Sequence, residues 1–278
     1  MEDLRKKATE TGALPPISKA ASRLLVLPLE NDKGEAELLR MIESDPFITA
    51  RMIGMANSPY FTTGRTIHTL DEAAMVLGLS LVKSVALAIA LLGSVKVRES
   101  RIFSLKDLWT HSFAMAIGMR TLASMLPPQR RPPDDLLFLS GLLHDMGYLA
   151  LAYLSPERFD AFLSQVESHP EIPATEIEQA ELGVGHAEIG AIMARSWSLP
   201  EDVVSVIESH HDEKPDMKNI PLVLSRLVES ITGEGAIHRP PSMMTRSPEE
   251  LEAVGLSLGN LDETREILEM QWALSFTA

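Results

Sequence analysis

Residues 138–154, FLSGLLHDMGYLALAYL, are almost all core-forming side chains, yet His144 and Asp145 stand side by side in their middle. A helix of this composition is built for burial, and an unpartnered polar pair inside it costs roughly several kcal/mol. The pair must therefore be held by a metal ion, a neighbouring backbone group or a salt-bridge partner. That requirement restricts the fold to one that brings further polar groups to a point deep inside an apolar core.

The rest of the composition permits such a core. Hydrophobic residues make up 45% of 278 and charged residues 23%, the balance of a globular protein. With 25 basic and 39 acidic residues the formal charge is −14, a field that repels phosphate backbones and anionic lipid. Nucleic acid is therefore not an expected partner. The apolar stretch SVALAIALLGSV runs for 12 residues, short of the roughly 20 that cross a bilayer, so no membrane partner is expected either. The start, MEDLRKKATETG, has no apolar secretion core, and the absence of cysteine fits a reducing, cytoplasmic setting. Without thiolates, any metal site must be built from histidine and carboxylate.

Helix-start signals recur along the chain, whereas alternating strand-like runs between Gly-rich turns are hard to find, so the fold class is all-α. Asp45-Pro46 places a capping residue before proline at the first helical position, and TLDE from Thr69 to Glu72 matches a capping box. Ser155-Pro156, SLKD from Ser104 and SPEE from Ser247 repeat the pattern. After a tail at 1–13, residues 14–98 read as a helical subdomain ending in AAMVLGLSLVKSVALAIALLGS, apolar around most of its circumference and so central. A junction at 99–106 leads into a second helical cluster, the core spanning 99–233, interrupted by the surface loops LPPQRRPPDD and SHPEIPATE. A linker and C-terminal helices fill 234–278.

Six of the eight histidines lie between 111 and 211. In order, the second cluster offers Asp107 and His111 one helical turn apart, His144-Asp145, His186, and His210-His211. Residues adjacent on a helix lie about 100° apart, so one ion against the shared edge is reachable by both. Gly190, on the face of His186, leaves room for another helix or an ion. This donor set suits Fe, Mn, Zn, Ni or Co without choosing among them. Other roles stay open at single positions: Asp107 in a first turn complements the helix dipole, His210-His211 complement a helix C-terminus, and the whole group can form a hydrogen-bonded network without an ion. His68, His169 and His238 read as isolated loop or turn residues.

The order His111, His144-Asp145, His186, His210-His211 resembles the HD superfamily of metal-dependent phosphohydrolases. The stretches LPPISKAASRLLVLP, MIESDPFITARMIGMANSPYF and TLDEAAMVLGLSLVKSVALA, with LWTHSFAMA and GLLHDMGYLAL, are similar to its HDOD branch, the HD-related output domain, over about residues 14–232. The resemblance implies a multi-helix bundle of the HD/HDOD type, an N-terminal helical subdomain packed on an HD-like core. It further implies bacterial origin, a role in signal transduction with signalling proteins as partners, and a divalent metal (Fe, Mn, Zn or Ni) held by His111, His144, Asp145, His186, His210 and His211, with Asp107 as a further ligand. HDOD domains commonly occur with receiver, diguanylate cyclase or phosphodiesterase modules, none of which is recognisable within these residues.

Against the neighbouring HD-GYP branch, which hydrolyses cyclic di-GMP, the substrate half of the signature is missing. Tyr148 stands where that branch has a lysine, and DEKPDMKN follows His211 in place of a Gly-Tyr-Pro loop. The last aspartate of HD enzymes falls near Ser225 or Arg226, with Glu229 one turn away. Phosphoryl transfer depends on cations placed against the charged oxygens, so losing one lowers rate. Two functional readings follow: a signalling module that acts through protein contacts and retains a metal site, and a metal-dependent phosphohydrolase of phosphoesters or cyclic dinucleotides with Asp145 as its catalytic carboxylate.

Overall fold

Helices begin after Asp45, Thr69, Ser104 and Ser155, although Ser155 makes no side-chain cap bond to the helix it starts. The Asp45 carboxylate accepts from the N–H groups of Phe47 and Ile48, with Pro46 in the first turn. Both halves of the Thr69–Glu72 capping box form, and the Ser104 hydroxyl accepts from Asp107 N–H. In this computed structural model, residues 3–275 are described apart from 59, 62–63, 99–102, 234–236 and 238–247, with side chains to 269. His238, part of the 99–106 junction and the start of the linker fall outside them.

The first half comprises α1 (Leu4–Thr9), α2 (Lys19–Val26), α3 (Asp32–Glu43), α4 (Pro46–Ala56), α5 (Leu70–Leu77) and α6 (Leu79–Leu92). The second comprises α7 (Leu105–Ser124), α8 (Asp134–Leu143), α9 (Met146–Leu154), α10 (Pro156–Ser168), α11 (Ala174–Glu181), α12 (His186–Ser196), α13 (Glu201–Ser209) and α14 (Ile220–Thr232). Two more, α15 (Pro248–Val254) and α16 (Leu258–Ser275), follow. No strand occurs among the described residues.

Two expected helices are broken. The apolar run 73–94 divides at Gly78, whose φ of 82° lies in the left-handed region open to glycine, and α5 and α6 meet at 112°. Residues 134–154 are long and apolar enough to span a membrane by composition, but 89% of that window is buried inside the protein and the helix is interrupted at His144-Asp145. Residues 4–9, read from the sequence as tail, form α1 instead. It buries Leu4 and Ala8 against α9 and α12, and Lys7 Nζ donates to Leu154 O at 2.9 Å.

The halves join where α6 packs on α8, and α6 is buried almost all round, as its composition requires. In the second half α7 lies against α8, α14 and α16, while α9 lies against α12 and α12 against α13. Two glycines set the closest approaches of backbone to backbone among these. A Cβ on Gly141 would lie 2.6 Å from the Ala116 backbone of α7, and one on Gly147 would lie 1.9 Å from His186 O of α12. They flank His144-Asp145, so the pair is drawn toward α7 on one side and α12 on the other.

Candidate metal centre

Each donor sits at a helix end or on a facing helix. His144 is the C-cap of α8, and its Nδ1 donates to Gly141 O at 2.9 Å. His210 is the C-cap of α13, and its Nδ1 donates to Ile207 O at 2.8 Å. Both rings thereby satisfy a helix-terminal carbonyl and turn Nε2 inward. Asp145 occupies the N-cap of α9, where a carboxylate ordinarily accepts the first N–H groups of the helix, but it makes no such bond. Its oxygens face the histidines instead.

The two carboxylate oxygens divide the cluster. Asp145 Oδ2 lies 3.4 Å from Nε2 of both His111 and His144, and Oδ1 lies 3.4 Å from His186 Nε2 and 3.7 Å from His210 Nε2. His111 and His144 face each other Nε2 to Nε2 at 3.2 Å, and His186 and His210 at 3.0 Å. On the far side, Glu229 of α14 groups with His111 and His144, and also with Asp145 and His210, while His211 joins His186 and His210. His211 Nε2 is 3.8 Å from Glu229 Oε1. Asp107 is in none of these groups. It bonds Ser104 in the first turn of α7, the dipole-complementing role open to it from the sequence. His68 is exposed, and His169 donates to Gln165 O at the end of α10. The space beside Gly190 is taken by a helix: its missing Cβ admits Gly147 of α9 and Ile207 of α13.

Burial and mutual charge decide the protonation of this group. Burial pushes His111 down to about 3 and His210 to about 4, and it drives His211 well below its ordinary value. Burial also opposes the cationic forms of His144 and His186, but Asp145 outweighs it at His144, and Glu178 with Asp145 outweighs it at His186, so both are raised. Asp145 is held well below the carboxylate range because His144, then His186 and His210, overcome the burial penalty.

The donor set fits divalent metal. Three rings have Nδ1 committed to an acceptor, so in the neutral state their Nε2 lone pairs point at one another. A shared metal ion meets that arrangement, as does a proton on His144 and on His186, whose cationic forms are favoured. Donor separations of 3.0–3.4 Å match the spacing of about 3.0 Å between adjacent ligands held about 2.1 Å from an octahedral ion. His111 Nδ1 and Asp145 Oδ2 are buried without a hydrogen-bond partner, and Asp145 is 1% exposed.

Sequence reasoning left two carboxylates unassigned. Glu229 is 1% exposed and faces the cluster, while Ser225, at the expected aspartate position, bonds its own helix at Leu222 O. Arg226 points away, to His210 O and Glu250. Glu178 is fully buried and accepts from His186 Nδ1 at 2.7 Å and His186 N–H at 2.9 Å. The only hint of Glu229 was its place one turn past the expected site. Glu178, one of three acids in ATEIEQAE, carries no sequence signal that sets it apart.

An all-helical protein with a buried cluster of histidines shared by two carboxylates is the class this fold and site define. Residues 14–213 match the HDOD domain family, and the chain belongs to it. The structure is similar to a candidate signal transduction protein from Marinobacter aquaeolei VT8, with a TM-score of 0.77 and 25% identity over 99% of this chain and 61% of that one. It is also similar to a candidate phosphohydrolase from Shewanella amazonensis SB2B, with a TM-score of 0.72 and 24% identity over 97% and 95% of the two chains. An uncharacterized protein of Treponema pallidum (strain Nichols) is 27% identical over 199 residues, which cover 70% of this chain and 38% of that protein. The chain thus spans less than two thirds of the length of the Treponema and Marinobacter proteins.

Proposed function

We propose that this chain is a metal-holding HDOD signalling module that acts through contacts with signalling proteins. The carrying observation is a set of inward-turned donors of which all but the partly exposed His211 are sealed from water. His111, His144, Asp145, His186, His210 and Glu229 are each no more than 1% exposed. Tyr148 stacks on the His186 ring at 4.1 Å and 18°, filling with an aromatic face the position where a phosphate-binding lysine is expected. Phe103, Phe159 and Phe162 back it. Of the basic side chains nearest in sequence, Arg195 pairs with Glu201 and Glu208, Arg120 with Asp134, and Arg226 with Glu250 and the His210 carbonyl, while Lys214 is exposed.

Two divalent ions fit the donors, one among His111, His144 and Glu229 and one among His186, His210 and His211, with Asp145 between them. Their contribution in this reading is to cross-link α7, α8, α12, α13 and α14, which stabilises the folded state by mass action. The second reading, a phosphohydrolase, rests on Asp145 Oδ2, a buried carboxylate oxygen without a hydrogen-bond partner. Bound divalent ions would supply Lewis-acid polarisation of a phosphoester and a more acidic water. Asp145 would orient that water and His144 would hold the carboxylate in place.

Metal analysis of the purified chain, melting with and without chelator, and hydrolysis of cyclic dinucleotides and a simple phosphodiester with added Mn2+ separate the readings. The module reading expects bound metal, a melting temperature that falls on chelation, and no turnover above a metal-only blank. Turnover abolished by Asp145→Asn would establish the enzyme instead. Metal-free protein whose melting ignores added Mn2+, Fe2+ and Zn2+ leaves only a hydrogen-bonded core.

A further inference from the structure

We infer that Glu178 is a positioning residue that makes the His186 side of the centre the tighter of its two metal subsites. This rests on the two-ion reading above. The outward ring nitrogens of the cluster are not held alike. Those of His144 and His210 donate to neutral main-chain carbonyls, and that of His111 has no hydrogen-bond partner. His186 alone donates to a carboxylate, at 2.7 Å, inside a fully buried setting. A charged acceptor on Nδ1–H fixes the tautomer that leaves Nε2 free and increases electron density there, which strengthens that nitrogen as a ligand.

The same carboxylate also fixes where the ring stands. Glu178 Oε2 accepts the backbone N–H of His186, the first residue of α12, at 2.9 Å. Gly185, which precedes it, makes no side-chain cap. Glu178 thus caps α12 from a separate helix and clamps backbone and ring of one residue together, while Tyr148 closes the opposite ring face. The close approach is built in, since a Cβ on Gly185 would lie 3.2 Å from Glu178 Oε2. Neither His111 nor His144 has a comparable clamp. The two subsites also differ in donors: the Glu178 side offers three imidazoles and one Asp145 oxygen, the other two imidazoles and the second Asp145 oxygen, with Glu229 in reach of His111 and His144 and also of His210.

The experiment titrates chelator-stripped full chain with Zn2+ against a chromophoric chelator, giving ions per chain and the affinity of each step. Wild type should take up two ions in separable steps, and His111→Ala should remove the weaker one. Glu178→Gln keeps the volume, but its amide can accept from only one of the two His186 donors. It should weaken the tighter step by about 10–100-fold and leave the weaker within about 3-fold. Gly185→Ala, which crowds the carboxylate without deleting it, should weaken the same step less. Glu176→Gln, on the exposed face of α11, should change neither. Melting of each metal-free variant separates loss of fold from loss of ligand. Glu178→Gln that weakens both steps equally, or neither, overturns the inference while the two-ion reading stands. A wild-type chain that binds no Zn2+ overturns the two-ion reading, and the inference with it.

Discussion

Replacing Gly147 by alanine puts a methyl carbon 1.9 Å from the His186 carbonyl oxygen and 3.0 Å from Gly190 N. Both obstacles are backbone, so no side chain can rotate away. Restoring ordinary contact, which begins at 3.4 Å, requires α9 and α12 to part by about 1.5 Å along that line. Overpacking a core costs about 1–3 kcal/mol, and a backbone clash of this depth belongs at about 3. At about 2–4 °C per kcal/mol for a chain of this size, melting should fall by about 6–12 °C. The same displacement carries His186 away from Asp145 and His210, now 3.4 and 3.0 Å from it, whereas metal–ligand distances tolerate only about 0.2 Å. Gly147→Ala should therefore lose one ion per chain as well as stability. Gly54→Ala is the matched control: it sits on the exposed face of α4 with nothing within 4 Å of the added carbon, and should stabilise by about 0.5–1 kcal/mol. A Gly147→Ala chain that melts within about 1 °C of wild type with full metal would refute the claim that this glycine sets the spacing of the site.

Glu229→Gln removes a buried carboxylate from the His111 side. Its Zn2+ stoichiometry should fall toward one ion per chain, with the stability gained from metal roughly halved in a melting assay. Asn57→Ala deletes a side chain that donates to the Ile53 and Ile67 carbonyls and accepts from Ile67 N–H, the bracket between α4 and the segment entering α5. Urea unfolding should show a loss of about 2–3 kcal/mol. Thr69→Ala breaks the capping box of α5 and should cost about 1 kcal/mol in the same assay. Gly78→Ala places a side chain at φ 82° between α5 and α6, and should cost about 1–2 kcal/mol with no change in metal content.

What was legible in the sequence was local. Asp45, Thr69 and Ser104 announce helix starts because a cap is a contact between residues two or three apart. The histidine order was legible because the spacing of His111, His144-Asp145, His186 and His210-His211 belongs to a family, not because periodicity shows where the rings point. The break at 144–145 was hidden by a continuous apolar run; Gly141 and Gly147, each pressed on another helix, flank it. Glu229 and Glu178 were missed for a related reason. A buried carboxylate is written with the same letter as a solvated one, and what distinguishes them is the tertiary neighbour: His111 and His144 for one, His186 for the other. Tyr148 illustrates the converse, because its consequence could be read from one position by asking what charge it fails to supply.

The chain folds so that four helix ends meet at the centre: the C-termini of α8 and α13, through His144 and His210, and the N-termini of α9 and α12, through Asp145 and His186. Each N-terminus presents about half a positive charge and each C-terminus about half a negative one. Two of each in one place form a pattern whose leading contributions oppose one another, so the peptide backbone favours neither cation nor anion there. The preference of the pocket is left to its ionisable side chains, and exchanging a single carboxylate among them should retune the occupant without rebuilding the scaffold.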